Sequence, residues 1–183
     1  MKRTNRFRLV WATLTSVGLA ACGGNSGPTT PTAVPAVVAP PPPVTTVIAQ
    51  GTFAGLGTGS GWVSQPLSTT SAGRLEVTVD WTFARTDLDV YVLRGTSATC
   101  TPAQFNAHQC DFAGFSESTT SKPERVTVAN APAGTYTILV INWGPDQESF
   151  SYQAALTTGG TAASAATQGR PEKFGVQQFL MGR

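Results

Sequence analysis

The sequence predicts an all-β protein: an antiparallel, jelly-roll-like β-sandwich that lies between an N-terminal signal with a linker and a disordered C-terminal tail. Three observations predict this fold. Apolar and polar residues alternate with a period of two through much of residues 45–157, which is typical of half-buried strands. Glycines, prolines and small polar residues form turn signals between these segments. Helix signals occur in one short segment only, and strands without helical partners favour two packed sheets.

Residues 1–22 resemble a bacterial lipoprotein signal. Basic residues lie between Lys2 and Arg8, and an apolar run of about 13 residues extends from Leu9 to Ala21, too short to span the ~30 Å hydrocarbon core of a bilayer. The sequence Leu-Ala-Ala-Cys then ends at Cys22. The resemblance implies that residues 1–21 are removed and that the Cys22 thiol carries a diacylglycerol. The alternatives are an ordinary secretory peptide with a chance cysteine and a short membrane anchor.

The lipoprotein resemblance also implies a location. Acyl chains such as palmitate contribute ~0.8 kcal/mol for each buried methylene, so two or more chains hold a protein at a membrane. Gly23 follows Cys22, whereas an Asp at that position retains lipoproteins at the inner membrane of enteric bacteria. We therefore expect a lipid-anchored protein of the bacterial cell envelope, at the outer rather than the inner membrane, that faces the periplasm or the cell surface.

Residues 22–44 predict an extended linker. Seven of the 13 prolines lie between Pro28 and Pro43. Proline fixes φ near −65° and lacks an N–H, so such a segment favours the polyproline II conformation. At ~3.1 Å per residue, the sixteen residues 28–43 would extend about 50 Å. The linker is therefore predicted to separate the folded domain from the lipid.

Five segments predict strands. One has alternating apolar residues that should face the core: Leu75, Val77, Val79, Trp81 and Phe83. The pattern continues at Val126 and Val128 and again from Phe150 to Leu156. Two segments, Val90–Leu93 and Tyr136–Trp143, are apolar on both faces, which is typical of central strands that are covered on both sides.

The cysteines predict one disulfide. With Cys22 assigned to lipid, Cys100 and Cys110 remain as an even pair in an oxidising compartment. A bridge between them would close a loop of about eleven residues and contribute about 2–3 kcal/mol; two buried free thiols are the alternative. Within this loop, Thr101–Gln104 has the Thr-Pro-x-Gln pattern of a capped helix start. The chain has no Cys-x-x-Cys motif, so redox catalysis is not predicted.

Three segments, taken in order, resemble the bacterial pre-peptidase C-terminal domain, a jelly-roll β-sandwich found mostly as an appendage of secreted proteases. They are the strand Gly73–Trp81, the Asp-Leu-Asp-Val-Tyr-Val segment from Asp87, and the Gly-Thr-Tyr strand from Gly134. The resemblance covers about residues 45–157 and implies a non-catalytic module. No peptidase segment precedes it here, so we do not expect the role of a protease appendage. Related collagen-binding modules hold Ca²⁺ on an acidic linker, whereas Cys22–Leu75 contains no Asp or Glu.

Charge excludes one class of partner. The formal net charge is +2, but four of the twelve basic residues lie in the first eight positions. Without residues 1–21, eight basic residues stand against ten acidic ones, a net charge of −2. Binding of nucleic acid needs clustered basic residues, so we expect no nucleic-acid partner.

Two acidic residues are candidate metal ligands. Asp87 and Asp89 are two residues apart on a predicted strand, so their carboxylates should share one face. With backbone oxygens they could bind Ca²⁺, the one cofactor that the sequence suggests. The alternative is that they cap the strand end and bond to loop amides or to Arg85. Asp111 and Glu117 could join them in space.

Catalysis is not predicted. The single histidine, His108, could be combined with Ser116 or Ser118 and an Asp into a triad, but the chain has no Gly-x-Ser-x-Gly segment that would expose a serine nucleophile. A secreted hydrolase would need such a triad. We expect instead a loop histidine without a catalytic role.

Aromatic residues and the tail offer further candidate surfaces. Five aromatic residues fall at predicted loops or strand ends: Trp62, Phe105, Phe112, Phe115 and Trp143. Exposed, they would suit a sugar or a hydrophobic protein contact; the favoured alternative is that Phe112 and Phe115 hold the long loop onto the sandwich. Residues 158–183 begin as a low-complexity segment. Their end, Phe174–Met181, is apolar enough to dock on the sandwich or on a partner.

These observations predict a lipid-anchored, non-catalytic lipoprotein that presents its β-sandwich to a protein or glycan. A structural lipoprotein that packs into an envelope complex without a free ligand is the alternative.

Overall fold

The computed structural model describes residues 40–160, 169–173 and 175, and in this part of the chain eight antiparallel strands form two four-stranded sheets. The predicted all-β sandwich is confirmed. It extends one residue beyond the predicted bounds at each end. The strands are β1 Val44–Leu56, β2 Gly61–Thr69, β3 Gly73–Trp81, β4 Leu88–Arg94, β5 Phe112–Ser116, β6 Glu124–Ala131, β7 Gly134–Asn142 and β8 Glu148–Thr158.

The strand order explains which segments are apolar on both faces. The first sheet has the order β1-β8-β3-β6 and the second has the order β2-β7-β4-β5. The two segments predicted as central strands are β4 and β7, which lie side by side in the middle of the second sheet. One face of that sheet packs on the first sheet, and a loop covers its other face, so both faces of β4 and β7 are buried.

The main core lies between the sheets and confirms four of the five core residues predicted on β3. Leu75, Val77, Val79 and Trp81 are buried. Phe83 was predicted on the same face, and this prediction is wrong, because its side chain is 47% exposed. The chain leaves the sheet after Trp81, where the buried Glu148 carboxylate accepts hydrogen bonds from the main-chain N–H groups of Thr82 (3.1 Å) and Phe83 (2.9 Å).

A second apolar cluster covers the outer face of the second sheet. Here the loop between β4 and β5 carries helix α1 (Pro102–Asn106), which begins at the predicted N-cap Thr101 with a complete capping box. The predicted disulfide joins Cys100 and Cys110, with Cα atoms 5.2 Å apart. Phe105 of α1 is fully buried, and its ring lies edge-on to that of Tyr91, 5.0 Å between centroids.

The other aromatic residues that were predicted at loops or strand ends complete this second cluster. Trp62, Phe112, Phe115 and Trp143 are half-buried and pack against it. The interpretation that Phe112 and Phe115 hold the long loop onto the sandwich is therefore confirmed. In the part of the chain that the structure describes, no helix is long and apolar enough to cross a membrane.

Candidate functional site

Three acidic side chains meet where β4 begins and β5 ends. Asp87 lies in the loop directly before β4, Asp89 is the second residue of β4, and Glu117 follows the last residue of β5. Because β4 and β5 are antiparallel and Val90 pairs with Ser116, the start of one strand lies beside the end of the other. We call Asp87, Asp89 and Glu117 the acidic cluster.

A lysine from the C-terminal part of the chain occupies this cluster. The Lys173 Nζ atom donates to Asp87 Oδ2 at 2.7 Å and to Asp89 Oδ1 at 2.9 Å. The Lys173 side chain is 27% exposed, and Asp89 is fully buried. Two charge-assisted hydrogen bonds from one ammonium group are among the stronger polar contacts that proteins make.

The main chain on either side of Lys173 also makes hydrogen bonds to the sandwich. The main-chain N–H groups of Glu172 and Lys173 donate to the two oxygens of Glu117, at 2.8 and 3.2 Å. Pro171 is buried, and Arg170 Nη2 donates to the main-chain oxygen of His108 at 3.1 Å. We call residues 169–173 the docked segment; it contacts the sandwich through its backbone, one proline, one guanidinium group and one ammonium group.

The C-terminal residues that the structure describes fold back on the sandwich. Of the two alternatives, folding back on the sandwich and binding a partner, the structure shows the first for residues 169–173. The predicted docking segment was Phe174–Met181, of which the structure describes only Gly175, whose N–H donates to Asn106 Oδ1 at 3.0 Å. In the docked segment, which precedes Phe174–Met181 along the chain, charge and backbone hydrogen bonds account for most of the contacts.

A tyrosine proton connects two of the carboxylates. The Tyr91 hydroxyl lies 2.6 Å from Glu117 Oε1 and 3.2 Å from Asp89 Oδ2. A phenol carries one proton, so it can donate to only one of them. If Tyr91 donates along the shorter contact, the longer one is a hydrogen bond only when Asp89 Oδ2 is itself protonated.

The surroundings of Asp89 favour that protonated form. Burial raises the pKa of Asp89 to about 7; Lys173 lowers it, but less than burial raises it, and the charges of Asp87 and Glu117 raise it further. Burial lowers the pKa of Lys173, and the hydrogen bonds and charges of Asp87 and Asp89 together outweigh this and raise it. Lys173 therefore stays an ammonium at neutral pH, while Asp89 titrates there.

The cluster has acceptor atoms that Lys173 does not use. Asp87 Oδ1 is buried and makes no hydrogen bond with the residues that the structure describes. The same is true of Glu124 Oε2, on a side chain of β6 that is fully buried. Burial raises the pKa of Glu124, and hydrogen bonds from Ser116 and Ser118 only partly oppose it. Asp87 Oδ1 therefore leaves one acceptor of the acidic cluster that a hydrogen-bond donor could satisfy.

A glycine in the loop between β7 and β8 supports the Asp87 loop. A Cβ atom on Gly144 would lie 2.4 Å from Thr86 Cγ2 and 2.9 Å from the Asp87 nitrogen. The main-chain N–H of the neighbouring Trp143 donates to the main-chain oxygen of Asp87 at 2.9 Å. Because only a residue without a side chain allows this approach, Gly144 helps to set the position of Asp87.

The structure places the other sequence candidates elsewhere. Asp111, which could have joined Asp87 and Asp89, instead pairs with Arg94 at 2.8 Å and has a side chain that is 64% exposed. Arg85, a candidate partner of Asp87 and Asp89, pairs with Asp146. Glu117 does lie beside Asp87 and Asp89, as the sequence suggested. Tyr91, Glu124 and Lys173 also belong to the site, although they were not among the sequence candidates.

The two candidate calcium ligands bind a different group in the structure. Asp87 and Asp89 do share one side, as their spacing predicts, but the group between them is the Lys173 ammonium. Among the described residues, no three or more His, Cys, Asp or Glu side chains form a group that could hold a metal ion. The arrangement shown is that of a site for an organic ammonium group.

The serine candidates for catalysis have structural contacts. Ser118 Oγ accepts hydrogen bonds from the main-chain N–H groups of Thr120 (3.3 Å) and Ser121 (3.0 Å), which fixes the loop before β6. Ser116 donates its hydroxyl hydrogen bond to Glu124. These contacts assign both serines to the support of the loop and of the buried Glu124.

Comparison of the chain with protein-family models and with curated proteins gives no match. The resemblance to the pre-peptidase C-terminal domain therefore stays a prediction. The predicted signal peptide, Cys22 and the linker up to residue 39 lie outside the described residues; Pro40–Pro43 at the end of the linker are exposed and lead into β1.

Proposed function

We propose that this protein is a lipid-anchored, non-catalytic envelope lipoprotein whose β-sandwich binds an extended segment of a partner protein at the acidic cluster. The observation that supports this proposal is the docked segment itself. The cluster holds a stretch of polypeptide that lies outside any helix or strand, through two backbone N–H groups and one ammonium group. A surface that binds a peptide of its own chain in this way has the chemistry to bind a similar peptide of another protein.

Protein is the partner class that these contacts favour over glycan. The groups that meet the carboxylates of the acidic cluster are peptide N–H groups and an ammonium group, which a polypeptide supplies and a neutral sugar does not. The loop aromatics that could have stacked on a sugar pack into the second apolar cluster instead. Lipid at Cys22 and the proline-rich linker would hold this module at the membrane with a reach of about 50 Å.

Photo-crosslinking in intact cells tests the proposal. A photo-reactive amino acid replaces Thr119, which is exposed and two residues from Glu117. We expect adducts between the full chain and another protein, and we expect the double substitution Asp87→Asn, Asp89→Asn to abolish them. The matched control places the same amino acid at Ser149, an exposed position on the other sheet. Adducts that persist in the double variant, or adducts with the chain itself only, would refute the proposal.

A structural role in an envelope complex is the second candidate, and one observation favours it. Strand β1 is an edge strand, and it exposes Val44 (59%) and Val47 (47%) directly after the linker. An edge strand with exposed valines can pair with another chain. Adducts from a probe at Val47 that do not depend on Asp87 and Asp89, without adducts from Thr119, would select this candidate.

A further inference from the structure

We propose that the acidic cluster is a lysine-binding pocket and that the docked segment is an internal ligand, which a lysine-bearing extended segment of the partner displaces. This inference rests on the proposed function, because it names the chemistry of the partner segment at the same site. It assigns the pocket to one side chain, lysine, within a peptide of the form Pro-x-Lys.

The selection of lysine follows from the position of Nζ. This one atom contacts a carboxylate oxygen of Asp87 and one of Asp89, at 2.7 and 2.9 Å. A lysine ammonium is a compact charge with three donors, and two of its donors are used here. Glu117 does not bind the ammonium group; it accepts from the main-chain N–H groups of the same segment. A side chain without donors at this position would leave the Asp87 and Asp89 oxygens without their hydrogen bonds, which costs free energy.

The backbone contacts explain why the residue before lysine is free to vary. Both oxygens of Glu117 accept from main-chain N–H groups, at residues 172 and 173. Glu172 itself is exposed, so its side chain adds little to recognition. Pro171 is buried, and its ring fixes φ near −65°, so less conformational entropy is lost on docking. Recognition therefore needs the proline, the lysine and the extended backbone between them.

The internal ligand would compete with any added peptide. Lys173 is covalently attached to the domain that it binds, so its segment returns to the pocket without a second molecule having to diffuse there. The wild-type chain should consequently bind a free Pro-x-Lys peptide weakly. A chain whose own segment has lost the ammonium group should bind the same peptide much better.

Fluorescence anisotropy with a defined peptide tests this inference. The probe is a labelled peptide with the sequence of residues 169–175, and the full chain is purified in detergent. We expect Lys173→Ala to bind the peptide about tenfold or more tightly than the wild-type chain, since its own segment has lost the ammonium group and with it two charge-assisted hydrogen bonds. Acetylation of the peptide lysine should weaken its binding to Lys173→Ala by about tenfold or more.

Two controls separate the pocket from general effects. Lys122→Ala removes the same charge from the one other lysine that follows the signal segment, where it pairs with Asp80, and should bind the peptide as the wild type does. Lys173→Gln, which keeps most of the aliphatic stem, is measured beside Lys173→Ala so that poor folding of one variant does not decide the result.

Equal binding to the wild type and to both Lys173 variants, or equal binding of the acetylated peptide, would overturn the lysine pocket. If adducts from Thr119 still depend on Asp87 and Asp89 in that case, the proposed function stands and only the ligand class is wrong. If the peptide binds as expected but no adducts form in cells, the pocket serves the chain's own segment, and the proposed function fails.

Discussion

Replacement of Asp89 by Asn should remove the contribution of Asp89 to the pH dependence of stability between about pH 4 and 7. In the structure, Asp89 Oδ1 accepts from Lys173, and Oδ2 lies 3.2 Å from the Tyr91 oxygen. An Asn side chain keeps an oxygen that can accept from Lys173, and it places an NH₂ group near the Tyr91 hydroxyl. That group can donate to Tyr91 while Tyr91 donates to Glu117. The substituted side chain would therefore imitate the protonated aspartic acid.

The magnitude follows from the two pKa values of Asp89. Burial raises its pKa in the folded protein to about 7, from an ordinary value of 3.8. Between these values the unfolded chain has released the proton and the folded chain still holds it, so the free energy of unfolding falls as the pH rises. At about 1.4 kcal/mol for each pKa unit, the loss is at most about 4 kcal/mol, and it is complete above about pH 7.

The charged groups that face Asp89 are Asp87, Glu117 and Lys173. Burial also raises the pKa of Glu124, and this contribution is present in the wild type and in Asp89→Asn alike, so the difference between their two curves isolates Asp89. The pKa of Lys173 is raised above its ordinary value of 10.5. Its contribution to stability is therefore fully present below pH 10.5 and is lost only at higher pH, outside the range from pH 4 to pH 7. The contribution of Lys173 is therefore constant where Asp89 titrates.

Urea unfolding from pH 4 to pH 8.5 at constant ionic strength measures the effect. We expect the free energies of unfolding of wild type and Asp89→Asn to be similar near pH 4, and the variant to be more stable at pH 8 by an amount approaching 4 kcal/mol. Asp111→Asn, which changes an exposed carboxylate, should follow the wild-type curve. Parallel curves for wild type and Asp89→Asn would refute the argument from burial.

Three further predictions concern other parts of the chain. Reduction of the bridge between Cys100 and Cys110 should lower the free energy of unfolding by about 2–3 kcal/mol, and an unchanged melting temperature in reducing agent would contradict its role. Gly144→Ala should destabilise the protein by about 1–3 kcal/mol, because its Cβ would lie 2.4 Å from a carbon of the adjacent loop; Gly57→Ala, with no atom within 4 Å of the added carbon, should have little effect on melting. Cys22→Ser should move the protein from the membrane to the soluble fraction, and persistence at the membrane would rule out the lipid.

The sequence predicts the strands whose burial follows a regular pattern. β3, β4, β6, β7 and β8 each have alternating or continuous apolar residues, because each packs at least one face on a core. β2 has no such pattern and contains Pro66. Since β2 lies at an edge of its sheet, the missing N–H of Pro66 is tolerated there, and its register comes from the pairing with β7.

The acidic cluster is only partly predictable. The spacing of Asp87 and Asp89 places their carboxylates together, whereas Lys173 is more than 80 residues away along the chain and no local pattern brings it there. One signal could have indicated the buried acidic residues. Glu124 shares the strand face of Val126 and Val128, and Glu148 shares that of Phe150, so the same alternation that identifies the core also places these two carboxylates in it.

The length of β1 shows at which end of the sandwich the acidic cluster lies. β1 begins at the linker and has 13 residues, which at about 3.3 Å each carry the chain about 40 Å along the sandwich. It ends at Leu56, whose main-chain oxygen accepts from Asn142, the neighbour of the Trp143 that binds the Asp87 loop. The acidic cluster therefore lies at the end of the sandwich opposite the one at which the linker joins β1, so a partner segment can reach it without passing the linker.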